Sequence, residues 1–362
     1  MSPKEVLTFI TNRKTLFLLI ISFLSACTVL PAPAPLPVSV SPTASPAPTP
    51  TPSHFTENEI LTLKSLKQID DYPLYTMQYD GEYGSRRAFG LPAFEKADAS
   101  PDWACALFTV LLDEEHLLFG RNFDWEFSPA LLLFTDSPDG YASVSMVDVE
   151  YLGFERQSLF NLTELPLEEQ EGLLDAPLIP FDGMNEYGLA IGMAAVPSSD
   201  VPVAPNKETI GSLGIIREIL DHARNVDEAT AIMESYNINF AGGPAVHYLI
   251  ADANKKSVLV EFHGGEMTII ETDQPWHSAT NFLLSSVEDP KDGNCWRYNK
   301  VNSQLTEIQG ILDPISAMEL LSEVSQGNTQ WSVVYQMAYG EVSIAMGGDY
   351  AQVYTFQLVE ER

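Results

Sequence analysis

Cys105 lies in the run Trp103-Ala104-Cys105-Ala106-Leu107-Phe108, and Arg121 and Asp124 follow 16 and 19 residues later in Gly120-Arg121-Asn122-Phe123-Asp124-Trp125. A thiol attacks a carbonyl as thiolate. A neighbouring guanidinium favours that form, while a carboxylate can orient an amine or a substrate N–H without changing its own charge. The three side chains meet only if the chain reverses between them. Ala106 to Leu112 has strand composition, Asp113-Glu114-Glu115 reads as a turn and His116 to Phe123 as a returning strand, so a hairpin would bring Arg121 and Asp124 back beside Cys105. Taken singly, each residue has a plainer reading. A cysteine among apolar neighbours is usually a small buried hydrophobe, and an Arg-x-x-Asp in a strand is usually a surface ion pair.

Taken together, the segment resembles the start of the choloylglycine hydrolase and penicillin V acylase type of N-terminal nucleophile (Ntn) hydrolase, and more closely relatives resembling the isopenicillin-N acyltransferase precursor. Later segments extend the resemblance from about Asp71 to the C-terminus. Thr280-Asn281-Phe282 resembles the family's Thr-Asn segment, and Cys295-Trp296-Arg297-Tyr298 the segment carrying its second active-site arginine. Asp182-Gly183-Met184-Asn185-Glu186-Tyr187-Gly188-Leu189 resembles its turn before an inner strand, and Trp331-Ser332-Val333-Val334-Tyr335 its late core strand. The resemblance implies a four-layer αββα sandwich of class α+β. It also implies Cys105 as nucleophile, Arg121 near the sulfur, Asp124 on the α-amine, Asn281 at the oxyanion and Arg297 pairing with this polar cluster. One position departs from the bile-salt hydrolases: Ala195, in Met193-Ala194-Ala195-Val196, stands where they carry a second oxyanion asparagine.

In this superfamily the cysteine begins the mature chain, and its own α-amine, with an ordinary pKa of about 7.7 to 8.0, can take the thiol proton. Cys105 is internal. It would be freed by attack on the Ala104 carbonyl and hydrolysis of the resulting ester, making residues 55–104 a pro-segment and 105–362 the catalytic domain. The expected reaction is hydrolysis of a linear, non-peptide amide in an N-acylated small molecule through an acyl-thioester. Acyl transfer to an amine acceptor uses the same residues, and a noncatalytic lipoprotein that binds an acylated ligand is the competing reading. Asn185 and Glu186 read as turn chemistry, and His247 and His277 as structural residues. No His-Glu or Cys-Cys spacing points to a metal, and no cofactor is implied.

The N-terminus reads as an export signal over residues 1–27. Lys4, Arg13 and Lys14 precede the apolar run Leu16 to Leu24, which is too short to span a bilayer, and Leu24-Ser25-Ala26-Cys27 looks like a bacterial lipobox that would attach lipid at Cys27. A Pro/Ala/Ser/Thr-rich linker, residues 28–54, would hold the enzyme off the membrane as a semi-rigid stalk. The expected location is a bacterial cell surface or periplasm-facing membrane, reached through the lipid alone. A net charge of −31 argues against nucleic acid and against direct docking on anionic lipid. With Cys27 assigned to lipid and Cys105 to chemistry, Cys295 is left alone and no intramolecular disulfide is expected.

The remaining pattern is mixed. Helices are expected over Glu57 to Lys67, Leu213 to Arg224, Asp227 (as N-cap) to Tyr236, and Pro314 to Ser325. Strands are expected over Tyr72 to Tyr79, Leu131 to Thr135, Tyr141 to Tyr151 and Leu189 to Val196. A meander from His247 to Glu271 follows, and two strands come last.

Overall fold

The computed structural model describes residues 54–84, 104–112, 114–156, 158–293 and 295–358, all within the unit Ser53–Arg362. The expected export signal with Cys27, and the expected linker up to Ser53, lie outside the described residues.

Two large sheets carry the fold. The first runs β1 (Lys67–Asp70), β2 (Leu74–Tyr79), β5 (Ala130–Thr135), β6 (Ser143–Asp148), β7 (Asp182–Asn185), β8 (Ala190–Ala195), β11 (Val246–Ala251), β12 (Ser257–His263) and β13 (Glu266–Glu271). Its neighbours are antiparallel except β2 and β5, which run parallel. The second runs β14 (Trp276–Ala279), β3 (Ala104–Val110), β4 (Leu118–Asp124), β15 (Thr329–Gln336), β16 (Glu341–Met346) and β17 (Val353–Gln357), antiparallel throughout. A short parallel pair, β9 (Thr209–Gly211) and β10 (Asn237–Asn239), lies apart from both. The helices are α1 (Glu57–Lys64), α2 (Gly214–His222), α3 (Val226–Ser235), α4 (Trp296–Glu307) and α5 (Pro314–Glu323).

Strand alternation assigns the layers. Along β3, Cys105 and Leu107 join the larger apolar core, whereas Ala106, Phe108 and Val110 join a second core with Val301 and Leu305 of α4 and Met318 and Leu321 of α5. One face of the second sheet therefore meets α4 and α5, and the other meets the first sheet. On the first sheet, a Cβ at Gly192 of β8 would lie 2.9 Å from Leu107 and 3.1 Å from Phe119 across the sandwich. A Cβ at Gly183 of β7 would instead lie 2.8 Å from Leu220 of α2. The two glycines face opposite ways, toward the partner sheet and toward a helix. The α+β class follows directly from this double-sided burial.

The segment before Cys105 is built into the first sheet. A capping box opens α1: Thr56 accepts from the Glu59 N–H, and the Glu59 carboxylate accepts from the Thr56 N–H at 2.8 Å. β2 then lies between β1 and β5, with Leu74, Tyr75, Met77 and Tyr79 buried. Three tyrosines fasten the segment by their hydroxyls: Tyr72 to Gln330 at 2.9 Å, Tyr75 to the Leu159 carbonyl at 3.0 Å, and Tyr83 to Asp221 at 2.6 Å. At roughly 1.5–3 kcal/mol for each large apolar side chain buried, β2 contributes to the stability of the whole sheet.

Several expected boundaries shift. The first helix stops at Lys64, and Lys67 begins β1. The helix expected from Leu213 spans Gly214–His222. Asn225, not Asp227, caps α3 by accepting from the Glu228 N–H at 3.0 Å, because the side chain two positions earlier reaches the first turn's free N–H groups. The strand expected to reach Tyr151 ends at Asp148 and becomes a 3-10 turn. Three strands rather than two close the chain. α4 went unread because it buries only Arg297, Val301 and Leu305, a stripe one residue wide that is headed by a charged side chain.

His277 of β14 is buried where the two sheets meet. Burial, and next the neighbouring His247, hold its imidazole down from 6.5 to about 4, against the opposing pull of Glu261. The unfolded chain takes up this proton near pH 6.5 and the folded chain only near 4. In that window the unfolded state therefore binds more protons, and stability falls as the pH drops through it. The shift corresponds to about 3 kcal/mol. His277→Gln should flatten the loss of Tm between pH 6.5 and 4, and an unchanged slope in thermal melts would remove His277 as a source of that loss.

Candidate active site

β3 and β4 pair in the register that the chemistry needs: Ala104 opposite Asp124, Cys105 opposite Phe123, and Leu107 opposite Arg121. The Arg121 guanidinium thus returns to the thiol, with Nη2 3.8 Å from Cys105 Sγ. Its Nη1 donates to the Phe181 carbonyl at 2.6 Å and to the Asp182 carboxylate, both at the entry of β7. Asp182 is fully buried and also accepts from the Tyr335 hydroxyl and, at 3.5 Å, from Trp331 Nε1. Aromatic rings wall this pair. Phe123 stacks on Trp331 with centroids 4.0 Å apart, Phe181 meets Phe123 edge-on at 5.3 Å, and Arg121 sits over the Phe123 ring at 5.0 Å.

A second buried ion pair closes the other side. Arg297, in the first turn of α4, donates through Nη1 to Asp124 Oδ2 at 2.7 Å and through Nη2 to Asn281 Oδ1 at 2.6 Å. Asp124 further accepts from Thr329 Oγ1 and, at 3.1 Å, from Gln326 Nε2. Asn281 Oδ1 also accepts from the Cys105 N–H at 2.8 Å, and Asn281 Nδ2 donates to the Ala195 carbonyl at 2.8 Å. These partners fix the amide plane: turning it over would set an NH2 against two donors and an oxygen against a carbonyl. One of the two Nδ2 hydrogens stays free of Ala195.

All five residues singled out for chemistry, Cys105, Arg121, Asp124, Asn281 and Arg297, therefore converge. In the uncut chain, where Cys105 carries no α-amine, Asn281 takes the Cys105 N–H, and the Asp124 carboxylate joins Asn281 through Arg297. Ala195 enters through its backbone carbonyl, which needs no particular side chain.

The thiol is also less acidic than an adjacent guanidinium suggests. Burial pushes Cys105 above its ordinary value, Arg121 opposes this, and Asp124 adds to it. Arg121 spends much of its field on Asp182, so burial prevails. Burial likewise raises Asp124 and Asp182, against the arginine each one faces. A thiol held in its neutral form needs a base.

Sequence reasoning passed over Asp182, Thr329, Gln326 and Tyr335 as functional residues. Asp182 could have been flagged as an acid at the head of an apolar strand, but its partner lies 61 residues away. Cys295 lies beside the site, with Thr280 Oγ1 3.2 Å from its sulfur. A small recess lined by Tyr151, Phe181, Met193, Leu213, Pro244 and Val246 shares Phe181 with the Arg121 contact, and Val246 is the strand partner of Ala195.

Residues 180–325 match the family model described as acyl-coenzyme A:6-aminopenicillanic acid acyl-transferase, a span that includes Asp182, Asn281 and Arg297. A variant of the conjugated bile acid hydrolase from Clostridium perfringens superposes with a TM-score of 0.51 at 13% identity, over 70% of this chain and 92% of that one. The penicillin V acylase from Agrobacterium tumefaciens gives 0.45 at 15% identity, over 67% and 82%. An uncharacterized protein of Paramecium bursaria Chlorella virus 1 is 32% identical over 109 residues, 28% of this chain, and the chain spans only 38% of that relative's length. The fold is that of the bile acid hydrolase, and across residues 180–325 the chain is similar to the acyl-transferase family.

Proposed function

We propose that this protein hydrolyses linear, non-peptide amide bonds in N-acylated small molecules, with Cys105 as nucleophile once the Ala104–Cys105 bond is cut. The observation that carries the reading is the Cys105 nitrogen held by Asn281 Oδ1 at 2.8 Å, with the sulfur facing Arg121. Cleavage would turn that amide nitrogen into an α-amine already seated beside the thiol, the base that a buried neutral thiol requires. Sγ would attack the substrate carbonyl as its proton passes to the amine, and the amine would then protonate the leaving nitrogen. Water, deprotonated by the same amine, would hydrolyse the thioester and regenerate the thiol. The free Nδ2 hydrogen of Asn281, oriented in advance, supplies an oxyanion donor.

The family model that matches is named for acyl transfer, which favours one second reading: an amine acceptor in place of water at the last step. The two separate in a competition assay with millimolar amino acids or amines as acceptors, where a transferase forms the new N-acyl amide at the expense of the acid and a strict hydrolase releases only the acid. We also propose that the export signal is a lipoprotein signal and that Cys27 tethers the chain to a membrane, on the strength of Leu24-Ser25-Ala26-Cys27. Protein expressed in bacteria should then fractionate with membranes and carry lipid mass on Cys27. Soluble protein with an unmodified Cys27 would exclude the tether.

Maturation is tested by intact mass. The active protein should contain a chain that begins at Cys105, and Cys105→Ala should remain uncut. Full activity with Ala104 still attached would rule out the α-amine as base.

Catalysis is tested with N-acyl aminomethylcoumarin amides of graded acyl length. Loss of one oxyanion donor typically costs about 2.7–4 kcal/mol, so Asn281→Ala in matured enzyme should lower kcat roughly a hundredfold to a thousandfold with a smaller change in KM. If the matured protein cleaves none of the panel and binds one amide equally well after Cys105→Ala, it is a binding protein and the hydrolase reading fails.

A further inference from the structure

Asn281 leaves the end of β14 on a short connection whose own residues do little to fix it. After Leu283 the chain makes a single 3-10 turn, Leu284–Ser286, and Leu283 offers no side-chain cap to its free N–H groups. The cap comes from the opposite sheet. Glu261 of β12 accepts from the Leu284 N–H through Oε1 at 2.8 Å and from the Ser285 N–H through Oε2 at 2.9 Å. His247 of β11 bonds to Glu261 Oε1 through Nδ1 at 3.0 Å, and both side chains are fully buried.

A carboxylate in such a place costs several kcal/mol unless donors surround it. Burial does act to raise its pKa, but the bonds from His247 and Ser285 outweigh this and leave the carboxyl below its ordinary range. Among the described residues, His247 Nε2 has no partner, so the imidazole's one hydrogen bond is spent on Glu261. His247 also lies opposite Ala194 in the β11–β8 ladder, next to Ala195, whose carbonyl holds Asn281 Nδ2. The buried pair thus reaches both supports of the Asn281 amide, the turn behind it and the strand that carries its acceptor.

We propose that Glu261, braced by His247, is a positioning residue that fixes the Asn281 amide by holding the turn after it. The effect on catalysis rests on the reading of Asn281 given above. The effect on the turn does not, which allows the two to fail separately. Glu261→Gln keeps the shape but replaces one acceptor oxygen with an NH2, so at least one N–H of the turn or of His247 loses its partner. In hydrogen exchange, peptides covering residues 280–286 should exchange at least tenfold faster in the variant, while peptides from α5 are unchanged. In matured enzyme assayed with the best coumarin amide of the panel, kcat should fall at least tenfold and KM should stay within about twofold, a split that general destabilisation below Tm would not produce.

Unchanged exchange at 280–286 overturns the proposal, and so does faster exchange with kcat within twofold of wild type. Should wild-type protein cleave no amide, the hydrolase reading falls and the exchange result alone decides the clamp. If Glu261→Gln does not fold, Glu261→Asp retains the charge pair but withdraws the carboxylate by one methylene, and the same two measurements apply to it.

Discussion

Asp124 lies at the end of a strand sealed from water, and an ionised carboxylate there is tolerable only with a cation against it. Arg297 is that cation, 173 residues further along the chain. Satisfying Asp124 therefore docks the first turn of α4 against the β3–β4 hairpin. The second arm of the same guanidinium then fixes Asn281, which holds the Cys105 nitrogen. Removing either member of a buried pair typically costs about 3–5 kcal/mol because the survivor is left uncompensated. The geometry at Cys105 is thus secured by the cost of exposing a charge to an apolar core, a stronger constraint than the one hydrogen bond that Asn281 makes to the Cys105 nitrogen.

The Arg121–Asp182 pair applies the same constraint from the other side of the sulfur. It leaves the thiol in an environment dominated by burial, with the positive charge beside it largely answered by Asp182. A thiol so placed would need help to lose its proton in either reaction, the cut before Cys105 or the attack on a substrate, and the α-amine could assist only the second.

Much of this was legible in the sequence because it is local or periodic. The hairpin returning Arg121 to Cys105 follows from two apolar runs around an acidic turn, and the sheet-forming segments follow from their alternation. The individual pairings that complete the site were not legible, although the resemblance implied that Arg297 joins the cluster. Asp124 with Arg297, Arg121 with Asp182, and Asn281 with the Ala195 carbonyl join segments 61 to 173 residues apart. Their formation depends on which sheet each strand enters. Ala195 illustrates the limit well: its side chain suggests a lost function, while its carbonyl, invisible to any comparison of residue types, performs one. Glu261 is a similar case: it lies on the face of β12 opposite Val260 and Phe262, and it is buried because both faces of that strand are covered.

The placement of β2 has a further consequence for how such a molecule would be made. It sits between two neighbours in the larger sheet, one of them parallel, and its side chains fill the interior. A break before Cys105 would convert a contiguous strand into a separate polypeptide with no covalent route back to its slot. Assembly that begins as a first-order event in one chain would become, once reversed, a second-order encounter between two. The processed protein would hold its shape as a record of the precursor, durable while folded and dependent on concentration to be rebuilt.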